Sequence, residues 1–78
     1  MSWTRTDAEN LAASLDRGAV DKLAAARSGD TFAGDARNGE LPRQQAAAAA
    51  LILRVQARAM LADAAAILDG ADPAELGY

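Results

Sequence analysis

The sequence predicts an all-α fold: a helical hairpin with a long Gly/Asp-rich loop and a short C-terminal turn, dimerising into a four-helix bundle. Three observations predict it. Alanine dominates the composition, while aromatic residues make up 4% and β-branched ones are scarce, a balance that favours helix over strand. From Gln44 to Leu68 apolar residues recur in alternating steps of four and three, the period of a helix seam. From Ser28 to Leu41 that periodicity stops, and glycine, aspartate and asparagine collect as they do in connections.

Helix 1 is expected over about 7–27. Thr6-Asp7-Ala8-Glu9 has the spacing of a capping box, in which the Thr6 hydroxyl accepts from the Glu9 amide and the Glu9 carboxylate accepts from the Thr6 amide. Ala8, Leu11, Ala12, Leu15, Ala19, Leu23 and Ala26 fall in one sector at 100° per residue, giving a single apolar stripe. Gly18 lies inside this stretch and costs about 1 kcal/mol relative to alanine, so it marks a kink, a break or a close approach of another backbone. Arg27, Ser28 and Gly29 read as the stop, a cation in the last turn and a glycine for the cap.

Residues 28–41 read as a loop longer than the two to eight residues usual between helices. Phe32, its one large aromatic side chain, is expected to plug it onto the helices. Helix 2 is expected over about 42–69, with Pro42 in its first turn, where the missing amide costs nothing, and Gly70 as its stop. Asp72, Pro73 and Glu75 then signal a short turn at 73–76, whose Leu76 or Tyr78 would cover an end of the core.

Helix 2 carries two apolar faces. One is a heptad seam of Ala46, Ala50, Leu53, Ala57, Met60, Ala64 and Ile67, in which an alanine at every seventh residue permits a short interaxial distance. The other holds Ala48, Leu51, Ile52, Val55, Ala59, Ala62 and Ala66. Polar edges separate them, Arg54 with Arg58 on one side and Gln45, Gln56 and Asp63 on the other. One neighbouring helix covers one face, and the wheel does not say which. Leu51, Ile52 and Val55 together would make an apolar patch of the kind that marks interfaces, so the expected product is a homodimer, an antiparallel pair of hairpins. Solvated alanine is the ordinary alternative for that second face.

The chain has 78 residues and neither cysteine nor histidine. A domain this small usually leans on disulfides, a structural metal or association, and the residue types for the first two are missing. No metal ligand set or cofactor motif is expected: Asp30, Asp35, Asn38 and Glu40 do not follow the EF-hand spacing, and the glycines of 28–41 form neither GxxxxGK[ST] nor GxGxxG. Catalysis is the least supported class, because the usual nucleophiles and bases are absent. A net charge of -3, with seven arginines and one lysine dispersed along the chain, disfavours nucleic acid as a partner. The polar start of the chain lacks a signal-peptide core, and the run Ala46 to Leu53 is too short to cross a bilayer, so a soluble cytoplasmic protein is expected.

What remains is a non-enzymatic protein–protein interaction module: a small self-associating adaptor, assembly factor, inhibitor or accessory subunit with an unidentified protein partner besides itself. Its interface candidates are Leu51, Ile52, Leu53, Val55, Ala57, Met60, Ala64 and Ile67. Arg54, Arg58, Phe32 and Trp3 are further contact candidates, with an acidic neighbour within the protein as the simpler expectation for the arginines and core-end capping for Trp3. Two rival readings are a small DNA-associated regulator or antitoxin and a non-catalytic subunit that completes an enzyme complex.

Overall fold

The computed structural model describes residues 2–78 and holds two α-helices of 29 residues each, α1 (Arg5–Ala33) and α2 (Glu40–Leu68), followed by a 3-10 turn at Pro73–Leu76. The helices pack antiparallel along their whole length into a rod of 52 × 17 × 17 Å. Among the described residues there is no strand.

Helix α1 starts earlier than the Thr6 capping box places it. Thr4 is the N-cap, its hydroxyl accepting from the Asp7 amide at 3.0 Å. This start brings Arg5 into the first turn, where its Nε donates to Glu9 one turn on at 2.9 Å. The glutamate expected to close the capping box serves that ion pair instead. Gly18 does not break the helix, which continues across it; its bare α-carbon makes room for the Met60 methyl from α2.

The expected stop at Gly29 also gives way. A Cβ at Gly29 would lie 3.1 Å from the Ala46 carbonyl oxygen and 3.4 Å from the Ala50 Cβ, so this glycine admits the opposing backbone and the helix runs on to Ala33. The loop expected at 28–41 thereby shortens to six residues, Gly34 to Gly39, inside the usual range for a helical hairpin. Its turn is built on Asp35, whose carboxylate accepts from the Arg37 amide at 3.0 Å and from the Arg37 guanidinium at 2.6 Å. Those donors hold the Asp35 pKa below the usual carboxylate value, the side-chain bond contributing most. Asn38 closes the turn by donating to the Phe32 carbonyl at 3.0 Å.

Helix α2 begins two residues before Pro42, which occupies the first turn as expected. It ends in a Schellman motif: Gly70 adopts φ +110°, its amide bonds the Ile67 carbonyl, and the Ala71 amide reaches the Ala66 carbonyl at 2.9 Å. Asp72 caps the final turn through the Ala74 amide. The residue this turn buries is Pro73, whereas Leu76 and Tyr78 stay exposed.

The core is lined by alanine. Ala12, Ala19 and Ala26 of α1 and Ala50, Ala57 and Ala64 of α2 are all at most 1% exposed. Each set recurs every seven residues, and cross-helix contacts such as Lys22 Nζ to Gln56 Oε1 at 2.8 Å give the register. That register sets Ala12 level with Ala64, Ala19 with Ala57 and Ala26 with Ala50. Larger side chains enter at one end, where Leu15, Ile67, Leu11 and Met60 gather around Ala8, Ala12 and Ala64.

Candidate interaction surface

The structure assigns the two faces of α2. The seam of Ala50, Leu53, Ala57, Met60, Ala64 and Ile67 faces inward: the three alanines and Ile67 are buried, and Leu53 and Met60 are partly so. Leu53, Ala57, Met60, Ala64 and Ile67, placed among the interface candidates by sequence, therefore form the intrachain contact with α1. Ala57, Ala64 and Ile67 are fully covered within the chain, while Leu53 and Met60 keep part of their surface in solvent.

The opposite face is open. Leu51, Ile52 and Val55 are 65%, 58% and 64% exposed, and Leu41 joins them at 63%. Ala48, Ala59 and Ala62 are exposed on the same side, while Ala66 is half-buried. Ala48, Ile52, Val55, Ala59, Ala62 and Ala66 are spaced by alternating steps of four and three, the same period as the inner seam. This outer line of α2 carries no charge. The outward side of α1, by contrast, presents the exposed polar residues Asn10, Ser14, Arg17, Asp21 and Ser28.

The edges of the open face differ in character. On one, Arg54 forms an ion pair with Asp30 of α1, which raises the Arg54 pKa through the side-chain hydrogen bond. An acidic group from helix 1 or from a second subunit is the expected companion; Asp30 supplies it from α1, which it can do because the helix extends beyond its predicted end. Arg58, one turn on, is exposed. On the other edge Gln56 accepts from Lys22, and Asp63 accepts from the Tyr78 hydroxyl at 2.7 Å. That bond, with lesser contributions from burial and the carboxylate charge, raises the Tyr78 pKa.

The remaining candidates lie apart from this face. Phe32 sits in the last turn of α1 at 42% exposure instead of plugging a loop. Trp3, 36% exposed, lines an open cleft of about 280 Å³ with Arg5, Ala8 and Gly70 to Pro73 at the end of the rod where both termini lie. Arg5 is committed there, since its guanidinium donates to the Ile67 and Leu68 carbonyls at 3.0 Å each. Among the described residues no group of three or more carboxylates stands together as a metal site, and no helix is long and apolar enough to cross a membrane. Comparison with known proteins finds no match to this chain among protein-family models, curated proteins or solved structures.

Proposed function

We propose that the chain is a non-enzymatic protein–protein interaction module that works through the outer face of α2. The observation that carries this reading is the uncharged heptad line from Ala48 to Ala66 with Leu51, Ile52 and Val55 standing in solvent. Association would remove that surface from water, and each fully buried aliphatic side chain gains about 1.5 to 3 kcal/mol. A two-helix rod that carries such a line along one helix is suited to display it to another helix.

The test compares the full chain with Ile52→Asp/Val55→Asp and with Ser14→Asp on the polar side of α1. Helicity by circular dichroism verifies that each variant folds. Proteins recovered with the tagged chain from its native cell, including untagged copies of itself, should be lost with the double variant and kept with Ser14→Asp. Recovery of the same set by all three would refute the assignment of this face.

A further inference from the structure

We infer that the occupant of the outer α2 face is a second copy of this chain, its α2 lying parallel and in register. This deepens the interaction reading above and rests on it. Three observations converge on this occupant.

The first is area. The folded chain exposes 5233 Å² for a mass of 8.0 kDa, whereas the scaling for compact monomers gives roughly 4,450 Å². The excess, roughly 800 Å², arises from the rod shape and equals what one partner contributes to a standard stable interface. Pairing two rods side by side along α2 would bring each chain to the compact value.

The second is self-complementary shape. With Ile52, Ala59 and Ala66 at one core position of the heptad and Leu41, Ala48, Val55 and Ala62 at the other, each layer of a parallel two-fold pair meets its own equivalent. β-branched Ile52 then occupies the position that favours two strands in parallel pairs. One heptad before Ile52, at the polar start of the same position, Gln45 meets Gln45 of the partner subunit.

The third is charge. In this heptad Arg58 precedes the first core position and Asp63 follows the second, five residues further on. That separation matches the flanking positions that form ion pairs between parallel in-register helices. Arg58 of each chain would thus meet the partner subunit's Asp63, and the two-fold axis makes the pair twice. An antiparallel arrangement, the one expected from sequence, brings Arg58 beside Leu51 of the partner subunit and Asp63 beside its Pro42 or Ala49. It leaves both charges without a complement. The α1 helices, with their polar sides outward, flank the pair.

The chain has no cysteine, so single cysteines report the geometry cleanly. Light scattering should give the mass of two chains at micromolar concentration, and Ala48→Cys, Val55→Cys and Ala62→Cys should each cross-link to themselves under mild oxidation. Arg58→Glu should weaken the dimer about tenfold, and adding Asp63→Arg should restore it. Self-linking at Val55→Cys with none at Ala48→Cys or Ala62→Cys would overturn the parallel register. A folded monomer at every accessible concentration would overturn the second copy. If that monomer still loses a foreign protein on Ile52→Asp/Val55→Asp, the interaction reading survives; if it loses nothing, both fall.

Discussion

Arg5 and Arg43 exchange helix ends. Arg5, in the first turn of α1, donates to the carbonyls of Ile67 and Leu68 at the end of α2, while Arg43, in α2, donates from Nε to the Ala33 carbonyl at the end of α1 at 2.8 Å. Neither helix has a basic residue in its own last turn. Each therefore takes the cation that its negative C-terminus favours from the helix beside it, and each exchange crosses the hairpin.

Removing either cap should therefore weaken the pairing of the helices. Arg5→Met and Arg43→Met should each cost about 0.3 to 1 kcal/mol, the range for a cation at a helix C-terminus. The two sites lie at opposite ends of the rod, so the double variant should show the sum of both losses. Urea unfolding at low salt checks this, and a double variant matching either single one would contradict independent caps. Raising the salt should shrink both effects.

The alanine core supplies a sharper test. Ala57 is fully buried between the helices, whereas Ala65 is exposed on the flank of α2. Ala57→Leu should destabilise by about 1 to 3 kcal/mol through overpacking, and Ala65→Leu should be nearly neutral because both residues are good helix formers. Ala47, which the helical wheel puts on an exposed edge, is partly covered and would be a poorer control. Equal unfolding midpoints for the two variants would show that the helices are not in close contact at Ala57.

The two glycines of α1 should respond differently to alanine. Both substitutions gain roughly 1 kcal/mol of helix propensity. At Gly18 the new methyl meets only the flexible end of Met60, which can turn aside; at Gly29 it meets the Ala46 backbone carbonyl at 3.1 Å, which cannot move without separating the helices. The propensity gain is common to both, so Gly18→Ala should be the more stable variant in thermal or urea unfolding by the overpacking cost at Gly29, about 1 to 3 kcal/mol. The reverse order would mean that the hairpin is more tightly packed at Gly18 than at Gly29.

Tyr78 offers a spectroscopic readout, because it is the only tyrosine. Its phenol donates to Asp63, which raises its pKa, so ultraviolet titration should find it ionising above the ordinary value of about 10. Asp63→Ala should return it toward that value. With the folded pKa the higher one, the contact stabilises fully below the unfolded pKa and is lost as pH rises through the folded one. An unchanged titration in Asp63→Ala would detach the C-terminal turn from α2.

The sequence made the α2 seam legible residue by residue, because Ala50, Leu53, Ala57, Met60, Ala64 and Ile67 repeat with a period that only a helix satisfies. The helix stops at Gly70 and the cap at Asp72 were legible too, being set by neighbours in the chain. Gly29 was not. A glycine that ends a helix and one that admits another helix look alike locally, and only Ala46 across the hairpin distinguishes them. From that one position followed the overlong loop, the misplaced Phe32 and the hidden partnership of Asp30 with Arg54. Thr4 and Thr6 posed the same problem at the start of α1, where both had an acidic residue three positions on. The inward direction of the seam was also out of reach, since two apolar lines on one helix carry no mark of which is covered.

An alanine ladder repeated every seven residues on both helices is blind to its own position. Sliding one helix past the other by a heptad, about 10.5 Å, would set alanine against alanine again, so the middle of the rod cannot tell the correct alignment from its neighbour. The features that can tell are singular: the notch at Gly18 for Met60, the Lys22–Gln56 bond, and the arginine locks at either end. The hairpin thus behaves as a scale with identical graduations whose zero is defined by a few unrepeated marks.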